Sequence, residues 1–392
     1  MTKILSKIRN VIIRKIITFI DLLFHKLIKP KKNQFFFKSF NGLYTDSPKA
    51  ISEELHKNRP DAKIIWVIKC DKNRKDLPNY IKTVKPNSLL YCFYKNRSRV
   101  IVDNGAGDYF VIKKKHSLIY RYLKNLNQLN ISTWHGFPLK KIGRDIESIE
   151  NPYVFSTSDI LIANSLFEYK IFRKVFYPGT KIIMMGRPRN DILMAENINK
   201  DAIKKELNLP QFKKVLLYAP TYREAGNKMF DLAGILKSIK NILPLIENKF
   251  RGKFIIVLRV HHYMRYDQKN LIDNVLVFDG NRHEDMSKYL LISDILITDY
   301  SSSMFDYCIL RRPCFLFVPD WAIYKRERGT YFDLTELPFP FAYTENEFKK
   351  VIGDFNENVY RRNIEEFIIK VGIVRDYNAS EKIVDLILKL IN

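Results

Sequence analysis

The sequence predicts an α/β protein made of two doubly wound parallel-sheet domains that face each other across a cleft. From about residue 34 onward, short apolar runs alternate with stretches of helical periodicity, which is typical of parallel sheets covered by helices on both faces. The chain has 392 residues, more than one ordinary core accommodates. A polar stretch between the apolar runs at 181–186 and 213–221 indicates a junction between two domains.

The predicted strands are continuous apolar runs of the kind that a parallel sheet buries on both faces. They lie at 63–69, 99–104, 128–136, 159–165 and 181–186, and then at 213–221, 253–262, 274–280, 294–302 and 313–320. We therefore expect an N-terminal α/β domain over residues 33–195 and a C-terminal α/β domain over 196–392. The last helices are candidates for packing back on the first domain.

Residues 1–32 predict a basic amphipathic helix that binds a membrane. They contain nine Lys or Arg residues and one acid. Apolar side chains recur every three or four positions and form one stripe: Ile4, Ile8, Ile12, Ile16, Phe19, Ile20, Leu23 and Leu27. Charges interrupt every window long enough to span a bilayer, so we expect the helix to lie on an anionic lipid surface. A helix packed on its own protein and a mitochondrial-type presequence are the alternatives.

The formal net charge of +25 favours polyanionic partners. Nucleic acid is not expected, because the sequence has neither a helix-turn-helix pattern nor a basic sheet motif interleaved with aromatic residues. The basic segment at 111–126 is compatible with a second membrane contact or with a solvated charged face. The four cysteines lack metal-ligand spacing and disulfide density, which favours a reducing cytoplasm. The oligomeric state stays open.

Polar residues follow several predicted strands at their carboxyl ends, where open parallel sheets bind ligands. His135 follows a strand of the first half, whereas the other clusters belong to the second half. Those clusters are Thr221 with Arg223, His261 with His262, and Asp299 through Ser303. A single histidine is more often a core or surface residue whose hydrogen bonds are made within the protein. Four polar clusters at the carboxyl ends of predicted strands nevertheless favour a ligand site.

The turn TDYSSS at 298–303 separates a predicted strand from a predicted apolar helix. Free backbone N–H groups and the positive end of the helix dipole favour an anion at such a position, and the serine hydroxyls add donors. A serine that merely caps the helix is the alternative.

Five motifs occur in order: STWHGFPLKKIGRD (132–145), MGRPRND (185–191), LLYAPTYRE (216–224), RVHH (259–262) and DILITDYSSSMFDY (294–307). Together with RGTYFDL (328–334), they resemble the CDP-glycerol glycerophosphotransferase family of wall teichoic acid synthesis. The resemblance extends from about SFNGLYTDSPKAI (39–51) to Leu334. Phe137 departs from the small polar residue that is common in the family, which leaves acceptor details open.

The resemblance implies a GT-B-like fold attached peripherally to the cytoplasmic face of the cell membrane. It implies transfer of glycerol phosphate from CDP-glycerol, or of ribitol phosphate from CDP-ribitol, to a polyprenyl-diphosphate-linked saccharide, with release of CMP. The first domain would then serve the acceptor and the second the CDP donor. The chain looks like a catalytic unit without the large extra region of long polymerases, and we expect no cofactor and no obligatory metal.

The resemblance also implies roles for individual residues. His135 is the proposed general base, and its unperturbed pKa near neutrality suits that role. His261 is the proposed proton donor or charge stabiliser. The expected donor and phosphate contacts are Arg259, Ser301, Ser302, Thr221, Arg223, Lys140, Arg189 and Asp299. Lys140 and Arg189 are alternatively cleft-rim charges, and Asp299 is alternatively a metal ligand.

Two rival function classes remain open from the sequence. A nucleotide-sugar glycosyltransferase of the same architecture also places a diphosphate at a helix N-terminus in its second domain. A non-catalytic membrane or polyanion-binding module needs only the basic N-terminus, and it leaves the histidine motifs unexplained.

Overall fold

The structure is a computed structural model that describes residues 2–40, 42–69, 77–105, 127–146, 158–176, 179–222, 231–261, 264, 266–282, 285–375 and 378–392. The chain divides into two compact units. The first comprises Met1–His135, Glu147–Asp191 and Asn378–Asn392, and the second comprises Gly136–Ile146 and Ile192–Tyr377. The basic segment at 111–126 and Arg223, both singled out in the sequence, lie outside the described residues.

The first unit contains seven described strands and five helices. The strands are β1 (Lys31–Lys38), β2 (Lys63–Val67), β3 (Ile81–Val84), β4 (Ser98–Asp103), β5 (Leu129–Ser132), β6 (Ile160–Ala163) and β7 (Lys181–Met184). The helices are α1 (Thr2–Leu27), α2 (Asp46–Asn58), α3 (Leu89–Arg97), α4 (Leu166–Val175) and, far along the chain, α14 (Ala379–Ile391). A 3₁₀ turn spans Pro188–Asn190.

The described strands of the first unit form one parallel sheet in the order β3-β2-β1-β4-β5-β6-β7. Successive side chains of a strand point to opposite faces of the sheet. Four consecutive side chains of β1 are buried, so both faces of the sheet are covered there. Phe35 and Phe37 belong to one core cluster with Trp66, whereas Phe36 belongs to the other with Ile65. The continuous apolar run of β1 therefore reflects a strand covered on both sides.

Helix α14 completes the core of the first unit, although it follows the whole second unit in sequence. Ile383, Val384, Ile387 and Ile391 pack in the same cluster as β1, β2 and β4. The carboxylate of Asp191 accepts the backbone N–H groups of Ala379 and Ser380, at 3.1 and 2.8 Å. The first turn of α14 is thus anchored by a side chain from the border of the two units.

Helix α1 packs one side against α3 and leaves an apolar side exposed. The Asp21 carboxylate pairs with Lys95 at 2.5 Å and accepts from the Asn96 amide at 2.7 Å. Ile16, Phe19, Leu23 and Leu27 are exposed, Phe19 to 68% and Leu27 to 69%. The side chains of Ile4, Ile8 and Ile12 are outside the described part. Among the described residues, no helix is both long and apolar enough to cross a bilayer.

The second unit contains a smaller sheet, with six described strands. The strands are β8 (Lys214–Ala219), β9 (Phe254–Leu258), β10 (Val277–Asp279), β11 (Ile295–Thr298), β12 (Cys314–Phe317) and β13 (Phe341–Ala342). The helices are α5 (Asp191–Met194, which begins at the border of the units), α6 (Lys200–Glu206), α7 (Leu232–Lys249), α8 (Gln268–Leu271), α9 (Met286–Ile292), α10 (Ser303–Tyr307), α11 (Trp321–Arg328), α12 (Glu345–Gly353) and α13 (Glu357–Val371). The 3₁₀ turns are Gly143–Asp145, Cys308–Leu310 and Leu334–Glu336.

The described strands of the second unit are also parallel, in the order β10-β9-β8-β11-β12-β13. In each sheet the order reverses direction once, between β1 and β4 in the first unit and between β8 and β11 in the second. Such a reversal opens a crevice at the carboxyl ends of the two strands. The prediction of two parallel-sheet α/β domains is confirmed.

Truncating Ile387 to alanine is expected to destabilise the protein by about 2–5 kcal/mol, because the side chain is fully buried in the first core. Leu390→Ala in the same helix is the matched control, since Leu390 is 46% exposed, and we expect a loss below about 0.5 kcal/mol. Urea denaturation followed by circular dichroism measures both. Equal losses would mean that α14 does not contribute to this core.

Candidate active site

His135 lies just beyond the end of β5, at the carboxyl edge of the first sheet. Its Nδ1 is 2.9 Å from the backbone carbonyl oxygen of Asn104, which follows β4. A carbonyl oxygen can only accept, so Nδ1 carries the hydrogen and Nε2 keeps its lone pair when the ring is neutral. The side chain is exposed. His135 is therefore oriented to accept a proton at Nε2.

The surroundings of His135 favour the neutral ring. Desolvation by the surrounding protein lowers the pKa of His135 from its ordinary value, and the Arg189 and Arg187 cations act in the same direction. The Asn104 carbonyl and the Asp46 carboxylate oppose this lowering of the pKa. Although solvent reaches the ring, it lies among enough protein and positive charge for a neutral imidazole to dominate near pH 7.

Backbone strain surrounds His135. Trp134, Phe40 and Asp46 have φ angles of 55°, 43° and 66°, in the left-handed region that residues with side chains rarely adopt. The Trp134 indole stacks on the His135 ring, with centroids 4.5 Å apart, and packs edge-on against Phe172 at 5.3 Å. Such strain persists only where packing enforces it and is typical of functional sites.

Arg189 holds the backbone of His135 in place. Its Nη1 donates to the His135 carbonyl at 2.9 Å and to the Asp46 carboxylate at 2.8 Å. Asp46 is buried at the start of α2. The sequence suggested a phosphate contact for Arg189; that role stays a prediction, and the contacts seen here are those of a positioning residue.

In the second unit, Asp299 joins the two strands that flank the sheet reversal. Its carboxylate is buried and accepts the backbone N–H groups of Thr221 at 2.8 Å and Tyr300 at 2.5 Å. Thr298 strengthens the junction, because its hydroxyl donates to the Ala219 carbonyl at 2.6 Å. The turns after β8 and β11 are thereby fixed against each other.

The serine turn follows directly from this junction. The Ser301 Oγ accepts from the Ser303 hydroxyl at 2.9 Å and from the Ser303 backbone N–H at 3.3 Å. Ser302 is the N-cap residue of α10 but makes no side-chain cap bond. Both Ser301 and Ser302 are partly exposed. Because α10 has five residues, its dipole is smaller than the sequence suggested, and hydroxyl and N–H donors supply the polarity.

Arg259 and His261 lie in the turn after β9. The Arg259 guanidinium lies over the Tyr289 ring, 4.8 Å from its centroid, and donates to the Gly280 carbonyl. A Cβ at Gly280 would lie 2.9 Å from the Arg259 Cβ, so only glycine permits this approach. His261 is exposed, and its ring centroid is 5.6 Å from that of Tyr222 in the turn after β8.

Residues 136–146 carry Lys140 into the second unit. Lys140 pairs with Thr330 in an antiparallel bridge, which joins the motifs HGFPLKK and RGTYFDL. The Lys140 ammonium lies 5.6 Å from the centroid of the Tyr324 ring, and that ring stacks on Tyr300 at 3.8 Å. Lys140 is therefore connected, through two aromatic rings, to the turn that contains Ser301.

Phe137 has a packing role in the second unit. It is buried and stacks on Phe305 of α10, with ring centroids 4.1 Å apart. Phe332 and Phe367 lie within 6.5 Å of the same ring. The departure noted in the sequence thus fills an aromatic cluster behind the serine turn.

The structure brings most of the sequence-predicted residues together within their own units. His135 and Arg189 are in contact in the first, whereas in the second the turns of Thr221, His261 and Asp299 meet at one sheet edge. Sequence reasoning missed Asn104 and Asp46, which orient His135 and its arginine partner. Asp46 lies in the segment SFNGLYTDSPKAI, and that was the available signal. No cluster of three or more potential metal ligands occurs among the described residues.

Residues 21–389 match the family model of CDP-glycerol:poly(glycerophosphate) glycerophosphotransferases. The chain belongs to this family. The resemblance seen in the sequence motifs is thereby confirmed.

Individual glycerophosphotransferases align over nearly the whole chain. A teichoic acid poly(glycerol phosphate) polymerase of Bacillus spizizenii is 30% identical over 99% of this chain and 99% of its own length. The polymerase of the same name from Bacillus subtilis is 30% identical over 99% of this chain, which covers 52% of that protein. The chain thus spans about half the length of some family members that it matches.

The wall teichoic acid polymerase TagF is a similar solved structure. It matches with a TM-score of 0.77 and 30% identity over 100% of this chain and 97% of that chain. A histidine-to-asparagine variant of TagF soaked with CDPG matches with the same TM-score. This similarity confirms the GT-B-like fold class that the sequence motifs implied.

Replacing Arg189 by glutamine is expected to raise the pKa of His135. The Arg189 cation lowers that pKa, and Asp46, which raises it, loses its cationic partner. Histidine NMR titration of the full chain, with the His135 signal identified by its loss in His135→Gln, measures the shift. Arg173→Gln, at an exposed position on α4, is the control and should leave the titration unchanged. An unshifted or lowered His135 pKa in Arg189→Gln would mean that the Arg189 cation does not lower the pKa of His135.

Proposed function

We propose that this glycerophosphotransferase family member transfers glycerol phosphate from CDP-glycerol to a teichoic acid acceptor linked to a membrane lipid, with release of CMP. The observation that carries this proposal is the match of residues 21–389 to the family model. The first unit would bind the acceptor and the second the CDP donor.

In the proposed reaction, an acceptor hydroxyl attacks the β-phosphorus of the donor. A new P–O bond forms at the acceptor oxygen, and the bond from the β-phosphorus to the bridging oxygen breaks. CMP leaves with that oxygen, and the hydroxyl proton passes to Nε2 of His135. The bond from Nδ1 of His135 to the Asn104 carbonyl supports this assignment, because it stabilises the imidazolium that forms.

The donor would be held by the turns at the edge of the second sheet. Negative charge builds up on the phosphoryl oxygens and on CMP, so the reaction needs fixed donors and cations. The Ser301 and Ser302 hydroxyls and the Thr221 turn are the proposed hydrogen-bond donors. Arg259 and Lys140 are the proposed cations. His261 would stabilise or protonate the leaving phosphate.

Two residues are assigned positioning roles in this proposal. Asp299 fixes the turn of Thr221 to the serine turn, and Arg189 fixes the backbone of His135. Neither side chain needs to touch the substrate for these contacts to matter, since geometric errors of about 1 Å are costly in group transfer. Arg223 stays a predicted donor contact.

We further propose that the protein attaches peripherally to the cytoplasmic side of the cell membrane through α1. The exposed apolar side of α1 is flanked by exposed Lys15, Lys26 and Lys29, a combination that favours anionic lipid. A polyprenyl-diphosphate-linked saccharide is the proposed acceptor, because attachment to the bilayer would place the protein next to such a molecule.

A donor screen tests the proposed function against its alternatives. We expect CMP release from CDP-glycerol with a soluble acceptor analogue, and little turnover of CDP-ribitol or nucleotide sugars. His135→Gln and His261→Gln should each lower the rate by about 10²- to 10⁴-fold, with Arg173→Gln as an active control. Turnover of a sugar nucleotide alone would support a glycosyltransferase, whereas preference for CDP-ribitol would change only the alditol.

Replacing Ser301 and Ser302 together by alanine is expected to weaken CDP-glycerol binding at least about tenfold, because hydrogen bonds to a charged group are worth about 1.5–3 kcal/mol each. Calorimetric titration of the donor measures the change. Ser303→Ala is the matched control: it removes the bond to Ser301 but keeps both proposed donors. Unchanged donor affinity in the double variant would mean that the serines of this turn only cap the helix.

A further inference from the structure

A pocket of about 390 Å³ opens at the amino-terminal edge of the first sheet. It lies where β1, β2 and β3 begin, since Gln34 pairs with Lys63 and Ile64 pairs with Ile81. His135 lies at the opposite edge, separated by the length of the strands, about 15–20 Å. The pocket is therefore distinct from the candidate active site.

The pocket is lined by cations and aromatic rings. The cations are Lys63, Lys82 and Arg97, and the rings are those of Tyr80, Phe93 and Tyr94. None of the described residues that line it is an acid. Asp61, just before β2, has its carboxylate bound to Arg59 at 3.2 Å. Three cations around one concave surface favour an anionic ligand.

Aromatic rings hold two of these cations. The Lys82 ammonium contacts the Tyr94 hydroxyl and lies 4.6 Å from the centroid of that ring. The Arg97 guanidinium lies 5.3 Å from the centroid of the Phe93 ring. Rings that carry cations in this way limit the rotamers of long side chains and thereby lower the entropy cost of binding an anion.

The pocket adjoins the helix that exposes its apolar side. Phe93 lines the pocket and packs edge-on against Phe24 of α1, with centroids 6.1 Å apart. On the same helix, Phe19, Leu23 and Leu27 are exposed. Tyrosine and cationic side chains beside an apolar surface are typical of the headgroup region of a bilayer.

We propose that this pocket binds the phosphate of an anionic phospholipid headgroup, while the exposed side of α1 contacts the acyl chains. The three cations of the pocket favour an anion as the ligand. Because the pocket adjoins the helix α1, which exposes apolar side chains, a lipid headgroup is favoured over free phosphate. The inference rests on the proposed membrane attachment for the source of the phosphate and is independent of the transfer reaction.

The test compares two charge-matched triple variants of the full chain. The pocket variant carries Lys63→Gln, Lys82→Gln and Arg97→Gln. The control carries Lys170→Gln, Arg173→Gln and Lys181→Gln, all exposed residues of the first unit on α4 and β7. Both variants lose the same formal charge, so a general attraction between the protein and an anionic surface falls equally in both.

Binding is measured by sedimentation with phosphatidylcholine vesicles that contain phosphatidylglycerol. We expect the pocket variant to bind about tenfold more weakly or worse, and the control to change less than about threefold. Neither should bind vesicles of phosphatidylcholine alone. Equal losses in the two variants would overturn the pocket as a headgroup site.

A soluble competitor separates the two sources of phosphate. Inorganic phosphate added in excess, with ionic strength held constant by chloride, should displace the protein from vesicles only weakly. If the pocket variant binds vesicles like the wild type but loses binding of inorganic phosphate, the lipid assignment is wrong.

A double variant and an activity assay complete the test. Should the triple variant unfold, Lys63→Gln with Lys82→Gln leaves the contact of Arg97 with Phe93 intact, and a loss of about fivefold is then expected. CMP release with a soluble acceptor analogue reports separately on the transfer reaction. Wild-type release by a variant that no longer binds vesicles would support the inference, whereas lack of release by the wild type would count against only the proposed function.

Discussion

Parallel pairing of the strands is the constraint on which both halves of the candidate site depend. In a parallel sheet the carboxyl ends of all strands lie at one edge, and the chain must leave each strand there through a loop. His135 and Asn104 meet because β4 and β5 are parallel neighbours, and Thr221 meets Asp299 because β8 and β11 are. The residues of the candidate site are therefore next to strand ends in sequence and, within each unit, next to each other in space.

The two units differ in the electrostatic environment at these sheet edges. In the first, a backbone carbonyl orients His135, and desolvation, together with two nearby arginines, lowers its pKa. A carboxylate partner in place of the carbonyl would bind the imidazolium more tightly and raise the pKa. In the second unit, the Asp299 carboxylate holds two turns together, and the predicted donor contacts described beside it include the hydroxyls of Ser301 and Ser302 and the Arg259 cation. This division suits proton acceptance in one unit and anion binding in the other.

The sequence alone predicted ten of the thirteen described strands and the residues that follow them, because buried parallel strands are continuous apolar runs. It missed β1, which begins with polar residues, β3, which contains Lys82 and Thr83, and β13, which has two residues. It could not predict which residues orient His135. Asn104 and Arg189 are 31 and 54 positions away from it, and local spacing carries no information about such contacts. For the same reason the sequence could not show that Asp299 joins two turns or that Phe137 stacks on Phe305; the predicted donor contact of Asp299 stays a prediction.

The position of α14 has a consequence for how the protein is made. Its side chains complete the core of the first unit, yet the ribosome synthesises this helix after all of β8 through α13. Before α14 is made, the first sheet lacks part of its apolar cover, whereas the described strands of the second sheet all precede α14 in the chain. The usual order, in which the amino-terminal domain folds first, therefore cannot complete the described core of the first unit before the second unit has been made. The core of the unit that contains His135 thus depends on a helix that is made after the second unit.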